Sequence, residues 1–129
     1  MITWQIASPE EFIPVCEMFR TSGLGSGYNE IKRRISAPLI LRQLITFYEN
    51  SKLCGFVTFA FMNEKAERSM PTTGIFLNDW RSGENFWVVD FAAKGDGYKM
   101  LRSVTKGLGV KRAKYFRHKF NDVREVRAI

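Results

Sequence analysis

One histidine and two cysteines are the whole of this chain's imidazole and thiol ligands. Cys16 and Cys54 lie far apart on apolar segments, with no CxxC or Cys/His spacing, so neither a zinc shell nor a disulfide framework is expected. Both thiols are expected to be buried, behaving as small hydrophobes. No apolar run approaches the roughly 20 residues needed to span a bilayer. The start, Met1-Ile2-Thr3-Trp4-Gln5, has neither a basic leader region nor a long apolar one after it. The expected setting is therefore the inside of a cell, or a particle assembled there. Repeats, linkers and low-complexity segments are lacking too, so 129 residues read as a single domain, 1–129. A chain of this length buries roughly 65–70% of its unfolded surface, enough to fold without a covalent or metal staple.

What the chain does have is aromatic residues and an uneven charge. Phe56, Phe59 and Phe61 form one aromatic run and Phe86, Trp87 and Phe91 another, which reads as sheet core. The formal charge is +7. From Lys94 onward eleven basic residues face three acidic ones, a net of +8, whereas the first 93 residues carry nine against ten, a net of −1. So one-sided a field attracts something acidic: nucleic acid, an acidic carrier protein, or the acidic face of another subunit of an assembly. The plainer reading is a solvated basic helix and strand. No nucleic-acid-binding motif accompanies the charge.

Residues 2–6 alternate apolar and polar and predict a strand. Ser8-Pro9-Glu10-Glu11 supplies an N-cap, a proline at the first helical position and a capping-box glutamate, which predicts a helix over 9–19, kinked or cut short by Pro14. Three glycines in residues 21–27 predict a loop, and a second helix over 29–36 should stop before Pro38. Residues 41–48 and 53–61 read as a hairpin about a turn at 49–52, and 63–68 as one helical turn. A strand over 86–93, a turn at 94–97, a helix over 98–106 ended by Gly107 and Gly109, and closing strands over 110–120 and 123–129 complete the chain. This order is that of an α+β fold of the acyl-CoA N-acyltransferase type (GNAT-like), with a mixed, mostly antiparallel sheet and flanking helices. A ferredoxin-like sheet would give much the same string.

Few side chains suggest chemistry unaided. Ser22, Ser26 and Tyr28 sit in or beside the glycine loop without a histidine partner, and His118 lies between Arg117 and Lys119 near the far end. Asp96, between Gly95 and Gly97, is a candidate acid–base group, and equally an Asx-turn or helix cap. Gly95, Gly97 and Lys99 open a helix whose amides suit a pantetheine phosphate.

Asp79-Trp80-Arg81-Ser82-Gly83-Glu84-Asn85-Phe86-Trp87 is the most distinctive stretch. Before it come Gly55 and an aromatic run through Phe59-Ala60, then a segment containing Glu64 and Glu67; after it an apolar strand closes on Gly95-Asp96. The series resembles the RTX-toxin-activating lysine acyltransferases. The middle block matches at Asp79, Trp80, Ser82, Gly83, Glu84 and Trp87, the last block at Gly95 and Asp96, and the first departs, with Phe59 where the pattern has tryptophan. The resemblance implies transfer of a fatty acyl group from acyl-acyl carrier protein to a protein lysine, with no other cofactor. It also implies a histidine base in the glycine loop, supported by the Gly-Asp aspartate, here Asp96. Gly25 stands where that histidine belongs, which leaves His118 as the one relocated candidate. Loss of a general base typically costs about 10²–10⁴-fold in rate. The first expectation is therefore a non-enzymatic relative of the fold, a bacteriophage virion or phage-encoded binding component, in the bacterial cytoplasm or in a virion. The alternative is the lysine acyltransferase itself, with the basic C-terminal third docking an acidic acyl carrier protein.

Overall fold

The structure, a computed structural model, describes residues 2–117 and 122–127. Among them are six strands, β1 (Ile2–Ile6), β2 (Leu44–Glu49), β3 (Lys52–Met62), β4 (Asn85–Ala93), β5 (Arg112–Arg117) and β6 (Asp122–Arg127). They form one sheet in chain order. The α-helices are α1 (Phe12–Thr21), α2 (Tyr28–Ile40), α3 (Glu64–Thr73) and α4 (Gly97–Gly107). The sheet is mixed: β1–β2, β2–β3 and β5–β6 pair antiparallel, β4–β5 parallel. The fold is thus α+β, as the element order predicts. By contacts the chain divides into two compact units, Met1–Thr58 with Asp90–Gly97, and Phe59–Val89 with Tyr98–Ile129.

In the first unit the capping glutamate acts as expected. The Ser8 amide donates to Glu11 Oε1 at 2.9 Å, closing a 3-10 turn over Pro9–Glu11 from which α1 runs on to Thr21. Pro14 does not break α1, because it lies in the first turn, where its missing N–H has no partner to lose. The expectation that the next helix stops before Pro38 is corrected. Helix α2 carries Pro38 within its last turn and ends at Ile40. The ring costs one hydrogen bond, but the end is closed from both sides. Gln43 N donates to Pro38 O at 2.7 Å and Arg42 N to Leu39 O at 3.2 Å, with Arg42 left-handed at φ 61°. This is a Schellman closure without the usual glycine. It consumes residues 41–43, so β2 begins at Leu44 rather than at 41. Phe19 of α1 stacks on Phe56 of β3 with centroids 6.2 Å apart, in a core that includes Val15, Ile35 and Leu44. Burial of each such side chain contributes about 1.5–3 kcal/mol.

In the second unit Asn63 caps α3, its Oδ1 accepting from Ala66 N at 2.8 Å. The helix extends to Thr73, past the single turn expected over 63–68. Phe59, Phe61 and Phe86 pack with centroids 5.2 to 6.0 Å apart. Trp80 and Trp87 are buried, at 2% and 3% exposure, with Trp87 early in β4. Helix α4 buries Met100, Leu101 and Val104, together with Thr105, whose Oγ1 donates to Leu101 O at 2.7 Å. No helix among the described residues is long and apolar enough to cross a membrane.

Candidate functional site

The residue matched to the missing base lies in the first unit. At Gly25 a Cβ would lie 2.8 Å from Glu30 Oε1 and 3.0 Å from Phe19 Cε1, so a side chain there requires the exposed end of Glu30 to swing aside and the Phe19 ring to give slightly. The carboxylate of Glu30 has thus moved into the space that a larger residue 25 would use. From Glu30 a series of charges runs inward. Arg34 Nη1 stands 3.6 Å from Glu30 Oε1, one helical turn on. Arg34 Nε donates to Asp90 Oδ2 at 3.0 Å and its Nη2 to Asp90 Oδ1, while the guanidinium carbon lies 5.4 Å from the centre of the Phe19 ring. The Asp90 side chain is 3% exposed, and its amide donates to Thr58 Oγ1 at 3.0 Å. A carboxylate buried this deeply stays in a folded protein only when a fork such as Arg34 meets both of its oxygens. Neither Arg34 nor Asp90 could be singled out from sequence. They are 56 residues apart, and an arginine in the run Lys32-Arg33-Arg34 reads as solvated surface.

The sequence candidates at the other end of β4 are exposed. Asp96 and Gly95 lie at the surface just before α4, Gly97 is half-buried, and Lys99 is exposed on the first turn of that helix. Gly95 has φ 111° with nothing within 4 Å of where a Cβ would stand, and a Cβ at 97 would meet Phe91 Cε2 at 2.8 Å. Two different needs therefore fix the two glycines, a left-handed backbone at 95 and close packing at 97. Of the loop residues, Ser26 and Tyr28 border an open groove between α1 and α2. His118 lies outside the described residues. Cys54 is buried as expected, but Cys16 is only half-buried, because its helix face borders the same groove. Burial pushes both thiols above their ordinary pKa. Among the described residues no group of three His, Cys, Asp or Glu could hold a metal ion.

A second polar cluster in this unit surrounds Glu11. Its carboxylate accepts from the Tyr48 phenol and, at 3.0 Å, from Gln5 Nε2. Burial alone would raise the Glu11 pKa, but these bonds, led by that of Tyr48, outweigh it and hold the group below its usual value. Tyr48 is pushed up to about 12, by burial first and then by the Glu11 hydrogen bond and charge.

In the second unit the distinctive Asp79–Trp87 block turns out to be architecture. Asp79 Oδ2 accepts from Phe76 N at 2.9 Å, closing a 3-10 turn over Leu77–Asp79. Trp80 offers its carbonyl to Phe61 N at 2.9 Å. Ser82 Oγ donates to Asp79 O at 3.1 Å and accepts from Asn63 N at 3.0 Å. At Gly83 a Cβ would lie 2.6 Å from that same Asn63 N. The block fastens the chain to the N-cap of α3. Glu67, one turn further along that helix, takes the Trp87 indole N–H at 2.6 Å, Asn85 Nδ2 at 2.8 Å and Lys114 Nζ at 3.1 Å.

Residues 17–127 match the model of the RTX toxin acyltransferase family. No match was found among the curated proteins. Among solved structures, a GNAT-family acetyltransferase from Streptococcus agalactiae superposes with a TM-score of 0.69 at 12% identity, covering 92% of this chain and 77% of that one. A GNAT-family acetyltransferase from Brucella melitensis, solved with acetyl-CoA, gives 0.53 at 11% identity over 91% of this chain and 76% of that one. A predicted acetyltransferase from Clostridium acetobutylicum, also with acetyl-CoA, gives 0.55 at 11% over 94% and 84%. Likeness at such identities establishes the fold.

Proposed function

Because the chain belongs to the RTX toxin acyltransferase family, we propose that it keeps the family's fold as a binding component and does not catalyse acyl transfer. The observation that carries this reading is Gly25, which offers no side chain where the resemblance puts the base and whose Cβ position is crowded by Glu30 Oε1 at 2.8 Å and Phe19 Cε1 at 3.0 Å. Transfer to lysine requires the ammonium to lose a proton before its nitrogen attacks the thioester carbonyl and the thiol leaves. In this reading the protein is a phage-encoded subunit, in a virion or in the host cytoplasm, whose basic α4–β6 segment meets an acidic protein. Incubated with acyl-acyl carrier protein or acyl-CoA and a lysine-bearing acceptor, the purified protein should leave the acceptor unmodified by intact-mass analysis. Robust transfer would overturn the proposal.

One observation favours a second reading, an active lysine acyltransferase. The Glu30 carboxylate fills the very volume that an imidazole on residue 25 would reach. In that case Glu30 accepts the lysine proton, Arg34 fixes the carboxylate, and the open turn at Gly95 admits the donor's phosphopantetheine arm. Transfer that disappears in Glu30→Gln but survives Asp96→Ala would establish it. The reverse pattern would make Asp96 the base.

A further inference from the structure

Two apolar features of the surface take no part in the chemistry above. The first is the open groove between α1 and α2. Its floor is Phe12 and Cys16, one turn apart on α1, with Ile31 of α2, and all three pack on or within the core of the first unit. Ile13 and Tyr28, both exposed, form an apolar rim. The groove offers about 300 Å³, room for one or two large side chains but not for a helix, whose diameter is about 10–12 Å. At its mouth Glu17 and Arg20 neutralise each other, whereas Lys32 has no ion pair among the described residues.

The second feature is a tip in the other unit. Phe76 and Leu77 are 55% and 70% exposed, and among the described residues they are the only exposed large hydrophobics adjacent in sequence. Their turn is closed twice, which holds them out: Phe76 N donates to Asp79 Oδ2 and Asp79 N to Phe76 O, each at 2.9 Å. Single exposed apolar residues need no explanation, but a fixed adjacent pair marks a contact site. From 69 to 80 the chain has no lysine or arginine, and its one charge is Asp79, which makes no ion pair among the described residues. An anchor in an anionic bilayer adds cations to its apolar tip. Here the charge has the wrong sign for such a surface and the right sign for Lys32.

From these two surfaces we infer that the Phe76–Leu77 tip of one copy of this chain docks in the α1–α2 groove of a second copy, which brings the charge of Asp79 to that of Lys32. Because tip and groove are different surfaces, the contact is head-to-tail. A dimer made this way still presents one free groove and one free tip, so association continues until it closes into a ring or runs on as a filament. A contact of two side chains in one groove is at the small, transient end of protein interfaces, and it fills at high protein concentration. It stands whether or not the protein transfers acyl groups, since it needs neither Glu30 nor Asp96.

Sedimentation equilibrium of the purified chain over roughly 10 µM to 1 mM, the range of weak dissociation constants, should give a weight-average mass that climbs past that of a dimer. Phe76→Ser with Leu77→Ser removes the tip, and Ile13→Ser with Tyr28→Ser removes the rim; all four side chains are exposed, so both double variants should fold. Each variant alone should stay monomeric. An equimolar mixture should form a 1:1 dimer and nothing larger, since one variant supplies the only groove and the other the only tip. Lys32→Glu should weaken wild-type association by about fivefold at low salt, and less as salt rises. A further readout needs no substitution: Cys16, on the groove floor, should be alkylated by iodoacetamide more slowly at the upper end of the concentration range, with buried Cys54 as the reference. A chain that stays monomeric throughout, with Cys16 alkylation unchanged, would overturn the proposal. So would variants that associate as the wild type does, or a mixture that stays monomeric. Binding of phosphatidylglycerol vesicles through Phe76 and Leu77, by a chain that does not self-associate, would assign the tip to a membrane instead.

Discussion

Glu67 accepts the indole N–H of Trp87 at 2.6 Å, and with the same carboxylate it holds Asn85 and Lys114. One side chain of α3 thus ties down both strands of the parallel β4–β5 pairing, in which Trp87 lies opposite Lys114. Glu67→Ala should lower stability by about 3 kcal/mol, the scale of a lost hydrogen bond to a charged group together with a buried indole N–H left unpaired. Glu67→Gln, which can still accept from the indole, should cost less than half of that. Urea unfolding followed by tryptophan fluorescence measures both.

Arg34→Met removes the guanidinium fork from the buried Asp90 carboxylate and should cost about 3–5 kcal/mol. Asp90→Leu in the same chain should recover much of that loss, because the pair is worth little beyond its mutual neutralisation. A double-mutant cycle that finds the two losses additive would show that the fork is not the reason Asp90 is tolerated in the core.

The Glu11–Tyr48 contact predicts two pH limits for stability. Glu11 has a folded pKa below its ordinary 4.5, so its contribution is complete above that value and is lost as pH falls through the lower, folded one. Tyr48 is raised from 10.0 to about 12, so the folded state keeps a proton that the unfolded chain releases, and stability declines between those values as pH rises. Tyr48→Phe should abolish the alkaline decline and move the acid limb upward, since Glu11 loses its strongest hydrogen bond. Thermal melts from pH 3 to pH 12 read both limbs.

If the basic segment is a contact surface, Lys99→Glu with Lys106→Glu should leave the fold nearly intact, because both side chains are exposed on α4. Affinity for acyl carrier protein should nonetheless fall by tenfold or more at low salt, and the difference should shrink as salt is raised. Unchanged affinity at low ionic strength would reduce the segment to a solvated face.

How much of this was legible depended on the range over which each signal acts. The capping box at Ser8 and Glu11, the apolar stripe of α4 and the aromatic strands are local patterns, and they placed most elements and the fold type correctly. The errors came where a local rule met a compensating contact further along. Pro38 reads as a stop, yet the Gln43 and Arg42 amides close the helix beyond it. Helix α3, capped by Asn63, runs to Thr73 with Pro71 inside it, past its apparent single turn. Of the candidate site, the Gly25 substitution and the turn at 94–97 could be read directly. Arg34, Asp90 and Glu67 could not, because each is defined by a partner that only folding brings near.

The clasp formed by Asp79, Ser82, Gly83 and Asn63 has a consequence for how such chains diverge. A serine hydroxyl serving two turns, and a glycine lying against the Asn63 backbone, tolerate almost no replacement, whatever chemistry the protein performs. Around Gly25, in the other unit, the nearest atoms are the end of the exposed Glu30 side chain and the Phe19 ring, so a replacement there asks for smaller shifts. Heritable change can therefore remove or relocate a catalytic group without disturbing the signature by which the lineage is recognised. Descendants of one ancestor can look alike at residues 79–87 while differing in whether they catalyse anything at all.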